Sequence, residues 1–442
     1  MANKAMKKPL PEGQQIPVSE NEYPYKLPRN WQWTRLKTVL SASKERTDSF
    51  TDSTIKYIGL EHMRKDTGIV SFGSPTDVKS TKNIFHPGQI LYGKLRPYLN
   101  KHDVATFEGI CSTDIIVFNV LSSSIPQYVN YYLDQKEFIR YAVENSKGIN
   151  LPRVSEKEIS SALIPLPPLP EQHRIVKRIQ SLFTKLDEAK DWVQSVLDGY
   201  EDRKTALLYS AFSGELTAKW RKEKKVTMDT WRDVVLSDVC KVNPPKANTK
   251  DLSDDLEVSF FPMPSLSEEC GEITKPQTRK LREVRSGFTS FIEGDVVFAK
   301  ITPCMENGKS AIIGKLLNDI GFGTTEFYVL RCSEELSNRY LWHMLRDRSF
   351  REKAKAVMTG AVGQQRVPKS FLEEYPIQLP LIDEQNEIVK LLDNALKKEQ
   401  IIIQNAENVI NQIDIIKNSI LTRAFRGELG TNDPTELPIS FS

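Results

Sequence analysis

Two short segments of this chain put cations, amides and an aromatic ring where an extended polyanion could be held. In Lys94-Leu95-Arg96-Pro97-Tyr98-Leu99-Asn100-Lys101, charged and hydrogen-bonding side chains crowd the exit of a predicted strand. That is the composition that phosphate positioning combined with base-edge contact requires. Lys300-Ile301-Thr302-Pro303, leading on to Asn307 and Lys309, repeats the Lys-x-x-Pro signature further along. A second cluster stands before a proline-rich stretch in each half: Asn150 and Arg153 in the first, Gln364, Gln365 and Arg366 in the second. Asn and Gln can bind adenine through two hydrogen bonds and Arg can do the same with guanine, so these residues are the candidate nucleic-acid contacts. For any one of them a solvated hairpin face is the plain alternative. Recurrence in both halves favours a shared role for the group.

No catalytic or metal site is expected. Asn243-Pro244-Pro245 resembles the (Asp/Asn)-Pro-Pro-aromatic loop of amino-methyltransferases that act on flipped bases, but Lys246 stands in the aromatic position and no glycine-rich loop for S-adenosylmethionine follows a strand. A proline turn accounts for it. The P-loop, H-E-x-x-H and G-x-S-x-G signatures are missing from the sequence, which removes the strongest marks of NTPase, zinc-hydrolase and serine-hydrolase chemistry. Asp295 and Lys300 could be read as a nuclease-like pair, but they sit in an alternating apolar strand, where ordinary surface exposure is the simpler account. The five cysteines include no C-x-x-C pair, so neither a disulfide framework nor a zinc knuckle is indicated, and a reducing cytoplasm is expected. No apolar run approaches the roughly 20 residues of a membrane span. A net charge of +3 is too small to argue for nucleic acid by itself.

The elements that must position these clusters are written twice. Arg153 answers Arg366, Glu171-Gln172 answers Glu384-Gln385, and Ala211-Phe212-x-Gly214-Glu215-Leu216 answers Ala424-Phe425-x-Gly427-Glu428-Leu429, every pair separated by 213. Upstream, Trp31, Leu36 and Val39 reappear as Trp231, Leu236 and Val239, 200 residues on. The drift between the two offsets places insertions in loops of the second copy, and loops on a retained scaffold are where recognition usually lives. Each copy reads as α+β. Strand-like runs cover 89–95, 114–120, 295–301 and 326–331, and helix-like runs cover 128–144 and 339–357.

Two long helices follow the globular parts. Ile175, Ile179, Leu182, Leu186, Ala189, Val193, Val196 and Tyr200 form a heptad seam, and Ile388, Leu392, Ala395, Ile402, Ala406, Val409 and Ile413 form another, interrupted at Glu399. The 3.5-residue period predicts coiled-coil packing of the two helices on each other. Prolines 165, 167, 168 and 170, with 376 and 380 in the second copy, stiffen the approaches. Glu171 and Asp383 place negative charge at the helix starts, and Gly214 and Gly427 are natural stops.

With both helices in view, the sequence resembles the DNA specificity subunit of type I restriction-modification systems. The likeness is carried by Pro165-Leu-Pro-Pro-Leu-Pro-Glu-Gln172 with Ile175-Val176, by Pro380-Leu-Ile-Asp-Glu-Gln385 with Ile388-Val389, by the Trp31, Leu36, Val39 opening, and by Gly88-Gln-Ile-Leu-Tyr-Gly-Lys-Leu-Arg-Pro97. Leu381 and Asp383 depart from the pattern where the first copy has prolines. The resemblance implies an α+β chain with a pseudo-twofold internal repeat: a leader (1–27), a target-recognition domain (28–164), a conserved helix region (165–226), a second recognition domain (227–378), a second helix region (379–430) and a tail (431–442). The two helices would pack antiparallel, and each recognition domain would read one half of a split duplex DNA target. Two modification (methyltransferase) subunits and the restriction/translocase subunits would dock on the chain, which would itself be non-catalytic, with S-adenosylmethionine, ATP and magnesium belonging to those partners. Two other classes stay open at this stage: a coiled-coil protein scaffold without DNA readout, and a stand-alone enzyme with an unrecognised cofactor pocket.

Overall fold

The computed structural model describes residues 18–440 apart from 49–54, 66–67, 75–79, 247, 269–270 and 362. The chain divides into two compact units, Met1–Val193 with Asn408–Ser442, and Gln194–Glu407. Each unit therefore holds one globular domain, the start of its own long helix and the end of the other copy's.

In the first unit, Ile90–Gly93 and Ile115–Val120 are the inner strands of an antiparallel sheet whose order runs Leu40–Ala42, Ile115–Val120, Ile90–Gly93, His102–Val104. All four residues of Ile90–Gly93 are buried, as expected of a strand covered on both faces. One face packs with Tyr128, Phe138, Ile175, Ile179 and Phe425. The opposite face meets a second four-stranded sheet, Arg46–Thr47, Lys82–Phe85, Gly109–Cys111, Lys56–Ile58, through Leu91, Val117, Phe85 and Ile58. A separate pair, Gln32–Arg35 with Leu163–Leu166, leads the chain to its helix.

The second unit repeats this plan. Val296–Ala299 and Phe327–Cys332 are central in one sheet; Glu257–Phe261 and Gly321–Gly323 pair in parallel in the other; and Arg232–Val235 pairs with Pro376–Leu379. Its main core joins Phe298, Tyr340, Phe350, Ile388 and Leu392 to Leu208 and Ala211.

Three expectations change. The helical runs at 128–144 and 339–357 are each two helices, Pro126–Leu133 with Lys136–Glu144 and Asn338–Arg346 with Arg348–Ala356. At the second break Asp347 is extended, and its carboxylate accepts from the N–H groups of Ser349 and Phe350, a cap that restarts the helix. The leader, which the sequence sets apart from the first domain, packs on it from Val18 onward: Val18 is buried and Tyr25 meets Trp33 with ring centroids 5.0 Å apart.

The seam of the second long helix, Ile382–Phe425, has a different phase. Ile402 and Val409 are 43% and 39% exposed, whereas Glu399, Ile403, Ala406, Ile410, Ile413, Lys417 and Ile420 face inward to varying degrees. These alternate steps of four and three, so Glu399 belongs to the seam that it seemed to break. Its carboxylate meets Arg203 at 2.9 Å in the second unit. In the first unit Lys190 reaches Asp414 at 3.2 Å and Asp187 pairs with Lys417. The numbering rises on one helix as it falls on the other, so within that unit the segments run antiparallel. The first helix breaks once, at Gly199, into Leu169–Asp198 and Tyr200–Phe212. Gly214 (φ +82°) and Gly427 (φ +74°) stop the helices in the left-handed region, as expected. Among the described residues no helix is long and apolar enough to cross a membrane.

Candidate nucleic-acid interface

Both sequence clusters of each half meet on one surface. In the first unit the chain leaves Ile90–Gly93 at Lys94, whose N–H donates to Asp114 O (2.8 Å) and whose carbonyl accepts from Val154 N–H (3.1 Å). Arg96, left-handed at φ 50°, donates its N–H to Pro152 O at 2.8 Å. Residues 147–153 close a hairpin through paired Lys147 and Arg153 backbone hydrogen bonds of 2.8 Å each, and Ile149 at its tip is 99% exposed.

The second unit is built in the same way. Lys300 N–H donates to Glu326 O (2.9 Å) and its carbonyl accepts from Val367 N–H (2.9 Å). Thr302 N–H reaches Gln365 O at 3.0 Å, and Gln365 N–H donates to Thr302 Oγ1 at 3.1 Å. Thr359 and Arg366 close the equivalent hairpin at 3.0 and 2.8 Å.

A carboxylate grips the base of each hairpin. Arg153 lies 3.6 Å from Asp114, and Arg366 makes a two-pronged bridge to Glu326 at 2.9 and 2.8 Å. The Arg366 hydrogen bonds hold the Glu326 carboxyl below its usual range. The matching of Ser112-Thr113-Asp114 with Thr324-Thr325-Glu326 in the sequence was the available signal for this clamp. It went unread because the partner arginines lie about 40 residues downstream.

The candidates therefore separate by what they already hold. Arg96, Asn150, Asn307 and Gln364 are exposed, as is Tyr98 at 49%. Lys94, Thr302 and Gln365 are half-buried. Lys300 extends its ammonium to 5.1 Å from the centroid of the Tyr328 ring. Arg153 and Arg366 are clamped by their carboxylates. Three candidates are structural instead. Asn100 is buried and donates its amide to Leu133 O at 3.0 Å; Lys101 Nζ donates to Leu60 O at 2.7 Å; and Lys309 is largely covered and pairs with Glu268 at 3.4 Å. Their polar groups satisfy neighbours within the fold, so they leave the contact set.

The enzymatic alternatives also resolve into structure. Asp295, expected at the surface, is instead buried and bound two-pronged by Arg331 at 2.7 and 2.8 Å, so its carboxylate is engaged in an ion pair. Asn243 is left-handed, and its side-chain oxygen accepts from Val329 N–H at 3.0 Å, making a strand exit of the Asn-Pro-Pro segment. Among the described residues no group of three His, Cys, Asp or Glu side chains could hold a metal ion.

The Glu-Gln doublet has a role that its sequence reading as a helix-start charge missed. Gln172 Oε1 accepts from Ser124 Oγ and Ile125 N–H, and Nε2 donates to the carbonyls of Ser123 and Pro167. Gln385 does the same with Ser337 N–H, Glu335 O and Pro380 O. Each glutamine staples its long helix to the globular domain. Each glutamate secures a segment distant in sequence: Glu171 accepts from Thr431, and from Arg174 on its own helix, and Glu384 accepts from Thr217, Arg221 and Trp231.

Comparison with known proteins places this architecture. Residues 28–191 and 228–412 match the family described as "Type I restriction modification DNA specificity domain". The specificity subunit of the type I restriction enzyme EcoDI of Escherichia coli is 36% identical over 202 residues, 45% of each chain. That of EcoEI, also from Escherichia coli, is 33% identical over 252 residues, 48% of this chain and 42% of the other. The chain thus spans about half the length of these relatives. Among solved structures, a chain from work on complex assembly and conformational transition of the type I R-M system superposes with a TM-score of 0.71. The HsdS subunit of Thermoanaerobacter tengcongensis gives 0.62. Both are 22% identical and cover 92% of this chain and 100% of their own; at that identity the likeness is one of fold.

Proposed function

The chain belongs to the type I restriction-modification DNA specificity family, and we propose that it is the non-catalytic subunit that reads a bipartite duplex target, one half per α+β unit. The observation that carries this reading is the duplicated surface: a strand-exit lysine, a hairpin beside it and an acid–arginine clamp at the hairpin's base, at matching places in both units. With Arg153 and Arg366 drawn to their carboxylates, Lys94, Arg96, Asn150, Lys300, Thr302 and Gln364 are left to meet phosphates and base edges. The two long helices form an antiparallel coiled coil that sets the spacer between half-sites. Support comes from the antiparallel ion pairs inside the first unit, from the Arg203–Glu399 pair inside the second and from the heptad running from Glu399 to Ile420.

Methyl transfer and ATP-driven cleavage then belong to two docked modification subunits and to the restriction/translocase subunits, which hold S-adenosylmethionine, ATP and magnesium. The test is transfer of a labelled methyl group to duplex DNA by the purified chain, with and without modification subunits. Incorporation only in their presence is expected. Robust methylation by the chain alone would contradict the proposal.

A further inference from the structure

The two units differ in one respect that their common plan makes informative. In the first, the extended leader lays Tyr25 against the domain: its hydroxyl donates to Phe425 O at 3.1 Å, its carbonyl accepts from Trp33 Nε1 at 3.1 Å, and the Arg426 guanidinium lies 4.9 Å from its ring centroid. Burial, then the charge of nearby Glu137, pushes the Tyr25 hydroxyl above its usual range.

By the internal repeat, Phe425 and Arg426 correspond to Phe212 and Ser213, and Tyr128, Tyr132 and Glu137 correspond to Tyr340, Met344 and Ser349. Those five residues line an open cavity of about 300 Å³ in the second unit, closed off by Phe350 and Tyr375. Its volume is at the lower end of ligand-sized sites. Phe212, like Phe425, lies in the last turn of its helix, where carbonyls lack intrahelical partners.

In the first unit the leader borders the corresponding place without filling it: Pro24, with Tyr132, Glu137 and Phe138, lines a cavity of about 420 Å³. The first unit is served by two flanking segments: the leader brings Tyr25, while the tail brings Thr431 to Glu171. In the second the connector takes the tail's part by carrying Thr217 and Arg221 to Glu384. Among the described residues no segment takes the leader's part there.

We propose that this cavity receives a tyrosine from an extended, proline-flanked segment of a partner polypeptide, which takes in the second unit the place that Tyr23-Pro24-Tyr25 takes in the first. Phe212, Tyr340, Met344, Phe350 and Tyr375 give it an aromatic and apolar wall, beside Asp347, Lys353 and Gln378; the carbonyls of the helix end offer the hydroxyl an acceptor, and a buried tyrosine wants both. Tyrosine is also a side chain on which interface energy concentrates.

The probe is a fluorescent decapeptide with the sequence of residues 19–28, titrated into the full-length chain and read by anisotropy. Saturable binding is expected, weakened at least about tenfold when the residue equivalent to Tyr25 is alanine. Ser349→Trp, on the exposed lip, should abolish binding with the circular dichroism unchanged. A peptide carrying benzoylphenylalanine in place of that tyrosine should cross-link to the segment containing Met344, which keeps the test decisive if Ser349→Trp fails to fold. Absence of binding, equal binding by the alanine peptide, indifference to a folded Ser349→Trp or cross-linking confined to the first unit would each overturn the proposal. So would concentration-dependent dimerisation of the chain reversed by Ser349→Trp, which would make the occupant the leader of a second copy.

Discussion

Replacing Lys94, Arg96 and Lys300 together by alanine separates electrostatic holding from the rest of the interface. These were chosen because of what the other cations already hold: Arg153, Arg366 and Lys309 have carboxylates within 3.6, 2.8 and 3.4 Å, whereas among the described residues none of the three has a carboxylate ion-pair partner. Lys300 leans instead on the Tyr328 ring. A cation that meets a phosphate releases about 0.9 of a counterion, so removing three should flatten the plot of log affinity against log salt by about 2.7. Between 50 and 200 mM salt the variant should therefore lose about fortyfold less affinity than the parent does. The assay is anisotropy of a labelled duplex titrated with the chain assembled with modification subunits, at four or five salt concentrations. A folded triple variant with an unchanged slope and unchanged sequence preference would take these residues out of the interface. A change confined to one base position, about 1–3 kcal/mol, would instead mark a base contact among them.

Further outcomes follow from the same geometry. Gln172→Ala and Gln385→Ala each strand buried backbone groups at a helix–domain junction and should cost about 3 kcal/mol in urea unfolding; a loss below about 0.5 kcal/mol would show that the staple is dispensable. His102 and His343 should titrate on opposite sides of the ordinary histidine value of about 6.5. Burial disfavours the charged form of both, but in His102 the charge and hydrogen bond of Asp134 outweigh it and raise the pKa, whereas in His343 burial prevails over Asp393 and lowers it. The His102 contribution to stability is thus fully present below about pH 6.5 and lost as pH rises through its folded value; that of His343 is present above about pH 6.5 and lost as pH falls through its folded value. NMR titration of a histidine-labelled chain reads both, and like-directed shifts would refute the assignment. Insertion of one heptad near Ala189 and another near Ile402 keeps the seam in phase and adds up to about 10 Å of helix, so the spacer of the methylated motif should lengthen by no more than about three base pairs. An unchanged spacer in a folded, active complex would place its control elsewhere.

The repeat, the central strands and the long helices were legible because each is encoded by a local period or a pairwise match. The second sheet of each unit was not. Its strands are short and rely on glycines where backbone and ring come close: a Cβ on Gly321 would stand 2.3 Å from Phe291 Cε2, and one on Gly109 would stand 2.5 Å from Lys56 O. Such glycines read as breaks in a strand pattern. Asn100 looked like a contact residue because its burial depends on Leu133, 33 residues away. The seam slipped at Ile402 and Val409 because Glu399 looked like an interruption, whereas its pairing with Arg203 on the other helix lets a carboxylate stand in the seam.

If each unit reads its own half-site, exchange of one unit must change one half of the target. Residues 238–379 are replaced by the matching segment of another specificity subunit, the chimera is assembled with modification subunits, and the methylated motif is mapped across a genome. One half of the bipartite motif should change while the other half persists. A change in both halves together, or in neither, from a folded and active complex would contradict it.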